Sequence, residues 1–305
     1  MRVLVTGGAG FIGSHLSEEL SKNHDVVALD SLVAGSGNIG LLKQRGVKII
    51  KGDVGDAKLA MRALEGIDVC YHFAADPDVR KSTESPLENC RTNILGTLNI
   101  LQACRKNNVK KFVFASTSAV YGMAKTPTPE TAKPDPISFY GVSKAAGEQY
   151  AKTFSSIFKM QVIVFRYANI IGPRLTHGII YDFFNKLGKN GRRLEILGDG
   201  RQEKSYLHVK DCVDATLLGS DRTDKMFEIL NVGSRETITV KQIADAVVKN
   251  MGLHGTDYKF TGGGGGWPGD VTHMLLGTAK IKRLGFAPKF SINEAIADTV
   301  GWLSS

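Results

Sequence analysis

Short apolar runs alternate with amphipathic stretches through the first 115 residues. Residues 2–6 are an apolar strand that runs directly into glycines. Over residues 11–21, Phe11, Ile12, Leu16 and Leu20 recur at helical spacing and share a face. Residues 25–29 predict a second strand, closed by Asp30, and residues 47–51, 68–73 and 111–115 predict three more. Helical patterns near residues 57–64 and 87–107 lie between them. Strands alternating with helices imply right-handed crossovers and a parallel sheet covered on both faces. The expected fold is therefore α/β, a doubly wound parallel sheet of Rossmann type, with ligands at the carboxyl ends of its strands.

Pro127, Pro129, Pro134 and Pro136 punctuate one loop, so no helix or central strand runs through it. A long helix is expected over residues 138–158 and a sixth strand over 162–166. Beyond Asn169 the alternation decays. Asn190-Gly191, Gly198-Asp199-Gly200 and the glycine run 262–266 mark turns. These features predict a smaller C-terminal α/β domain entwined with the first, and there is no internal repeat.

Composition narrows the function. Of 305 residues, 42% are hydrophobic and 23% charged, which excludes a disordered or fibrous chain. The 39 Lys and Arg against 30 Asp and Glu leave a charge of +9. The cations are scattered, as at Lys110-Lys111, Arg192-Arg193 and Lys280/Lys282/Arg283, without interleaved aromatics. A phosphate-bearing small molecule is a better expected partner than nucleic acid. No apolar run approaches the roughly 18 residues that span a bilayer, and the start breaks into glycines before a signal-peptide core forms. A cytoplasmic protein without membrane contact is expected. Cys70, Cys90, Cys104 and Cys212 form no CxxC pair and read as reduced thiols. The seven histidines show no metal-ligand spacing, so no metal is expected, and His15 and His208 read as structural. No Gly-x-Ser-x-Gly elbow is present.

Three local patterns carry chemistry. The first is Thr6-Gly7-Gly8-Ala9-Gly10-Phe11-Ile12-Gly13, between a strand and a helix. Glycine there allows the tight turn, the approach of a pyrophosphate and close helix–strand packing, and the helix N-terminus offers unpaired N–H groups. Asp30 follows Gly13 by seventeen residues, where a carboxylate accepts ribose hydroxyls and repels a 2′-phosphate. NAD is thus expected over NADP. Asp53 alone reads as a turn residue.

The second pattern is Tyr140-Gly141-Val142-Ser143-Lys144, whose first and last members share a helical face. A free phenol titrates near pH 10, and a cation within about 4–6 Å lowers an acid's pKa by roughly 1–3 units. Tyr121/Lys125 and Tyr206/Lys210 repeat the spacing, but only Tyr140 opens a long helix after the proline-rich loop. The third pattern, Ser116-Thr117-Ser118, places hydroxyls at the carboxyl edge of the sheet, although each could simply satisfy a turn.

Together these residues resemble the extended short-chain dehydrogenase/reductase family, within it the NAD-dependent epimerases and dehydratases, and most closely UDP-glucose 4-epimerases of the shorter archaeal type. The likeness spans TGGAGFIGSHL (6–16), FAA (73–75), Asn93 in RTNILGT, STSAVYG (116–122), YGVSK (140–144), RYANIIGP (166–173) and LHVKD (207–211). It implies an NAD-binding Rossmann domain over residues 1–168 plus about 206–232, and a nucleotide-sugar domain over 169–205 and 233–305. It implies that Gly7, Gly10, Phe11 and Ile12 hold the pyrophosphate, that Asp30, Ser31 and Gly35 flank the adenosine ribose, and that Asp53 and Val54 meet the adenine. Phe73, Ala74, Ala75 and Asn93 would line the middle of the cofactor, with Tyr140, Lys144 and Tyr167 around the nicotinamide. Thr117 would bond the reacting sugar oxygen, and Asn169, Lys204, Tyr206 and Asp270 would contact the nucleotide diphosphate.

The departures carry information. Better-known epimerases have arginines where Lys204 and Trp267 stand, and lysine lacks the bidentate fork. Arg174 is expected to supply a replacement cation. Pro77 replaces a frequent lysine, and Met274 stands at the position gating the sugar pocket, where some relatives carry a bulkier Tyr, so N-acetylated sugars are expected to enter. Dehydratases carry an acidic pair at positions 118 and 119, and decarboxylases a Glu at 119; here these are Ser118 and Ala119, which favours an epimerase. The resemblance implies interconversion of UDP-glucose and UDP-galactose through a 4-keto sugar. The alternatives are a reductase or dehydrogenase of the same fold, and a non-catalytic NAD-sensing or nucleic-acid-associated protein. A homodimer is expected through a four-helix interface of the helices at 87–107 and 138–158.

Overall fold

A computed structural model describes residues 1–33, 35, 37–267 and 269–305. Strand β1 (Arg2–Thr6) leads into helix α1 (Phe11–Leu20), and β2 (Asp25–Asp30), α2 (Ile39–Gln44), β3 (Lys48–Lys51), α3 (Ala57–Ala63) and β4 (Val69–His72) follow. The expected helix at 87–107 is instead α4 (Val79–Glu84), α5 (Pro86–Cys90), a π turn over Arg91–Leu95 and α6 (Gly96–Lys106). Next come β5 (Lys111–Thr117), α7 (Phe139–Phe158) and β6 (Gln161–Tyr167). The chain continues through β7 (Asn169–Ile171), α8 (Ile179–Lys189), β8 (Arg193–Ile196), β9 (Glu203–Lys204), β10 (Tyr206–His208), α9 (Val209–Arg222) and β11 (Phe227–Val232). It ends with β12 (Ile238–Thr239), α10 (Val240–Asn250), β13 (Asp257–Phe260), β14 (His273–Met274), α11 (Ala279–Arg283) and α12 (Ile292–Leu303).

Seven strands form one parallel sheet in the order β11-β6-β5-β4-β1-β2-β3. The order reverses beside β1, and this switch point opens a crevice at the carboxyl edge. Alternation along each strand explains the two layers of helices. Val3, Val5 and Val113 pack on the α1/α9 side, while Leu4, Phe112, Phe114 and Val164 pack on the α6/α7 side. Phe112 and Phe114 are wholly buried, each stabilising the fold by about 1.5–3 kcal/mol. A third core joins α8, α10 and α12 through Phe183, Leu187, Ile243, Val247, Ile296 and Val300.

Strand β5 runs two residues past the expected end because Ser116 and Thr117 stay in register with Arg166 and Tyr167. Ser138 caps α7 by accepting the Gly141 N–H, which starts the long helix directly after the proline loop. Among the described residues no helix is long and apolar enough to cross a membrane.

Candidate active site

The glycine loop is shaped by backbone contact. Gly7 has φ +65°, and a Cβ there would lie 2.7 Å from the Ala74 nitrogen. A Cβ on Gly13 would lie 2.0 Å from the Gly7 carbonyl oxygen. Gly10 caps α1 with no side-chain hydrogen bond, so Phe11 and Ile12 open the helix with N–H groups suited to an anion. The Asp30 carboxylate, at the end of β2, accepts the N–H groups of Ala9 (2.9 Å) and Leu32 (2.8 Å). It thereby holds the loop. Ser31 and Gly35 follow it, Gly35 with φ +110°. Past β3, Asp53 is exposed and turns the chain by accepting the Gly55 N–H, while Val54 is buried against Gly96.

The middle of the crevice is tied partly by residues that sequence reasoning did not single out. Thr6 accepts the Ala74 N–H and donates to His72 Nδ1 (2.7 Å). Thr97 donates to the Asn93 carbonyl and accepts from His72 Nε2 (3.0 Å). These partners fix a neutral imidazole protonated at Nε2, and burial pushes its pKa down to about 3. Asn93 takes the Asp76 N–H on Oδ1 and donates through Nδ2 to the Asp76 carbonyl and Ser143. The π turn places Asn93 between the loop after Phe73-Ala74-Ala75 and α7. The Tyr140 N–H bonds Ser82 Oγ on α4. Ser143 was visible inside YGVSK and Thr97 inside RTNILGT, but nothing in the pattern marked Ser82.

On the first turns of α7, the partly buried Tyr140 has the Thr117 hydroxyl beside its phenol. Burial pushes the phenol up to about 12; Thr117 opposes that rise and Asp76 adds to it. Lys144 is 3% exposed and donates to the Ala115 carbonyl at 2.8 Å, with Nζ 4.9 Å from the Phe114 ring centre. Burial lowers its pKa to about 7, and Glu148 opposes the fall. Tyr167 packs its ring near Phe73 but bonds Thr216 through its hydroxyl, so only the ring is left to face a cofactor.

A second group lies in the C-terminal part. Asn169 and Tyr206 are paired across β7 and β10, and Lys204 and Met274 across β9 and β14. Lys204 Nζ bonds Asp270 at 2.6 Å and sits 5.4 Å from the Trp267 ring centre. Asp270 also accepts the Gly266 N–H. The Trp267 Nε1–H is buried with no partner among the described residues, a donor that suits a polar ligand. Gly269 has φ +84°, and a Cβ there would lie 2.9 Å from the Ile137 carbonyl, so this loop rests on the entry to α7. Met274 packs with Val120, Tyr121, Ala168 and Leu276.

Arg174 corrects an expectation. Its guanidinium pairs with Glu18 at 2.6 Å and bonds Ser14, both on α1, so it ties the loop after β7 to that helix and does not join Lys204. His15 and His208 also have fixed partners, the Pro173 carbonyl and Asp298.

The family model described as the NAD dependent epimerase/dehydratase family matches residues 3–233. The chain belongs to that family. A crystal structure titled UDP-galactose 4-epimerase is 39% identical, covers 100% of this chain and 99% of that one, and superposes with TM-score 0.90. The UDP-glucose 4-epimerase of Thermus thermophilus, solved with NAD, is 32% identical over 100% of this chain and 99% of that one, with TM-score 0.90. An uncharacterized UDP-glucose epimerase of Bacillus subtilis is 31% identical, covering 100% of this chain and 98% of that one. dTDP-glucose 4,6-dehydratases and a UDP-N-acetyl-glucosaminuronate decarboxylase match as well. NAD is the cofactor of this family, and the cradle fits it: the closely packed Gly7 and Gly13, the uncapped start of α1 and the Asp30 carboxylate are what a dinucleotide requires.

Proposed function

We propose that this protein is a UDP-glucose 4-epimerase that interconverts UDP-glucose and UDP-galactose. The observation that carries the reading is Tyr140, flanked by Thr117 and preceding Lys144 by one turn, with Ser118 and Ala119 where an acid pair would serve elimination. Bound NAD would supply reversible hydride transfer. Tyr140 takes the proton of the sugar 4-hydroxyl and later returns it. Thr117 orients the 4-oxygen. Lys144 steadies the phenolate by its charge and holds the cofactor ribose. Residues 1–168 and 206–232 hold the dinucleotide, and residues 169–205 and 233–305 hold the nucleotide sugar. There, Lys204, Trp267 and Asp270, with Asn169 and Tyr206, face the diphosphate and nucleoside. The Trp267 N–H replaces part of an arginine's grip, and buried Met274 leaves room for an N-acetyl group.

Nucleotide-sugar analysis after incubation with UDP-galactose, without added reductant, tests this. UDP-glucose should accumulate to a fixed ratio with no net change in NADH. Net cofactor consumption would identify a reductase or dehydrogenase instead. No conversion by NAD-loaded protein would reject UDP-galactose as substrate.

The same reading includes a homodimer. Leu87 and Leu95 beside α6, and Phe139, Val142, Tyr150 and Ile157 on α7, are exposed apolar or aromatic side chains on adjacent helices. A second copy would cover them by a two-fold repeat of the same two helices, a self-complementary contact.

A further inference from the structure

Helix α7 carries Tyr140 in its first turn. The first N–H groups of a helix have no partner within it. Ser138 satisfies one of them, accepting the Gly141 N–H on Oγ at 3.1 Å, and its carbonyl accepts the Val142 N–H. The Tyr140 N–H is left without a partner in its own helix. Ser82 on α4 takes it, at 3.2 Å. Ser82 is 1% exposed, and its one hydroxyl proton goes to the Val79 carbonyl at 2.6 Å. Toward Tyr140 its oxygen therefore offers lone pairs only, shielded from solvent.

Helix α4 is itself held to the loop that follows β4. Asp78 caps it by accepting the Lys81 N–H, and the Lys81 ammonium pairs with Asp76 at 3.1 Å. Asp76 is fixed in turn: its N–H goes to Asn93 Oδ1, and its carbonyl accepts from Asn89 and Asn93. A second tie runs from this loop to the other side of Tyr140. Asn93 Nδ2 donates to Ser143 Oγ at 3.0 Å, and Ser143 donates to the Tyr140 carbonyl at 2.8 Å. Farther along α7, Lys144 reaches the Ala115 carbonyl, Glu148 pairs with Arg166, and Ser155 reaches the Met226 carbonyl. Those contacts hold the body of the helix to the sheet. Ser82 and Ser143 instead tie its first turn to the loop after β4.

We propose that Ser82 is a positioning residue for Tyr140. By taking the N–H that the helix cap leaves open, it fixes the first turn of α7 and so sets where the phenol stands relative to Thr117 and the cofactor. This rests on the reading of Tyr140 as the proton-handling residue. Ser82 acts through the Tyr140 main chain, without touching substrate or cofactor. A reacting group misplaced by about 1 Å can lose about 10²-fold in rate, so a tie at this point has leverage on turnover.

The test compares two buried serines that tie α7 to its neighbours. Ser82→Ala and Ser155→Ala each remove one hydroxyl, 1% exposed, that bonds a main-chain group of another element or loop. Ser155 lies about 22 Å beyond Tyr140 along the helix. Ser82→Ala should lower kcat for UDP-galactose about 10- to 100-fold and leave KM within about twofold. Ser155→Ala should lower the melting temperature comparably and leave kcat unchanged. Ser82→Thr, which keeps the oxygen, should recover most of kcat. Amide exchange followed by NMR on NAD-loaded protein needs no sugar. There the Tyr140 N–H should exchange about three- to tenfold faster in Ser82→Ala, but not in Ser155→Ala. Wild-type kcat in folded Ser82→Ala, an equal loss of kcat in Ser155→Ala, or unchanged Tyr140 exchange in Ser82→Ala overturns the proposal. If Ser82→Ala does not fold, Ser82→Cys, close in shape but a weak acceptor, carries the same expectations. A wild type that leaves UDP-galactose unconverted counts against the substrate reading, and the exchange rates still decide whether Ser82 pins Tyr140. Full turnover in Tyr140→Phe counts against the role of Tyr140 rather than against the tie.

Discussion

In the proposed reaction, Tyr140 is the residue on which the chemistry turns. Its phenol is pushed up to about 12 by burial, too high to act as a base near neutrality without a cation beside it. In the proposed mechanism, Lys144 and bound NAD would supply the positive charge that brings it down. Tyr140→Phe removes one oxygen at a partly buried site and disturbs little packing. It should keep the fold and NAD while lowering epimerisation about 10²–10⁴-fold, measured as initial rate with UDP-galactose. Near-normal turnover would remove Tyr140 from the mechanism. Arg174 gives the opposite expectation. Because its guanidinium is spent on Glu18, Arg174→Ala should leave the KM for the sugar nucleotide unchanged and lower the urea midpoint of unfolding. A raised KM with an unchanged midpoint would return Arg174 to the substrate group. Tyr140, Lys144 and Thr117 were legible because local spacing and their place after a strand or loop carry the information. The partners of Arg174 were not, because Glu18 lies 156 residues away and only the folded chain brings them together. Glu148 and Arg166 were hidden for a related reason: charged residues inside a helix and a strand look like solvated positions until their pairing is seen.

At the scale of elements, the turn from β1 into α1 has the least freedom. A Cβ on Gly13 would sit 2.0 Å from the Gly7 carbonyl, against backbone that cannot yield without displacing the loop. Gly13→Ala should therefore push α1 off β1, weaken NAD binding at least tenfold and lower the melting temperature. Calorimetry with added NAD checks both effects, and wild-type affinity would show that the loop has slack. The long periodic helix α7 and the apolar strands were legible because their burial follows a simple period. Helices α2 and α4 were not, since six residues each are too few to show a period. Pairs such as β9 with β12 and β14 are two residues long and exist only because the surrounding loops bring them together.

For the whole molecule, titration of buried groups sets the pH range in which the fold is strongest. Burial holds His72 down at about 3 and His15 at about 4, against about 6.5 in an unfolded chain. Below pH 6.5 the unfolded chain therefore binds protons that the native one refuses, and stability falls as pH drops. At pH 5 each histidine costs up to about 2 kcal/mol, the 1.5-unit gap converted at about 1.4 kcal/mol per unit. Glu18 and Glu228, held low by Arg174 and by Lys225 and Lys280, add to the loss once pH passes through the carboxylate range. On the alkaline side the signs differ. Lys144 titrates at about 7 in the fold and near 10.5 unfolded, so stability rises with pH between those values. Tyr140, with its folded pKa raised, then costs stability once the unfolded phenol ionises above about 10. The NAD-free protein should thus reach its highest urea midpoint between about pH 8 and 10 and lose it steeply below pH 6. His72→Asn should flatten the acid limb in proportion to its share, provided the Asn amide satisfies Thr6 and Thr97. A urea midpoint that is level from pH 5 to 9 would mean that these side chains are hydrated in the native state, and that the crevice floor around His72 and Lys144 opens to water far more often than its packing implies.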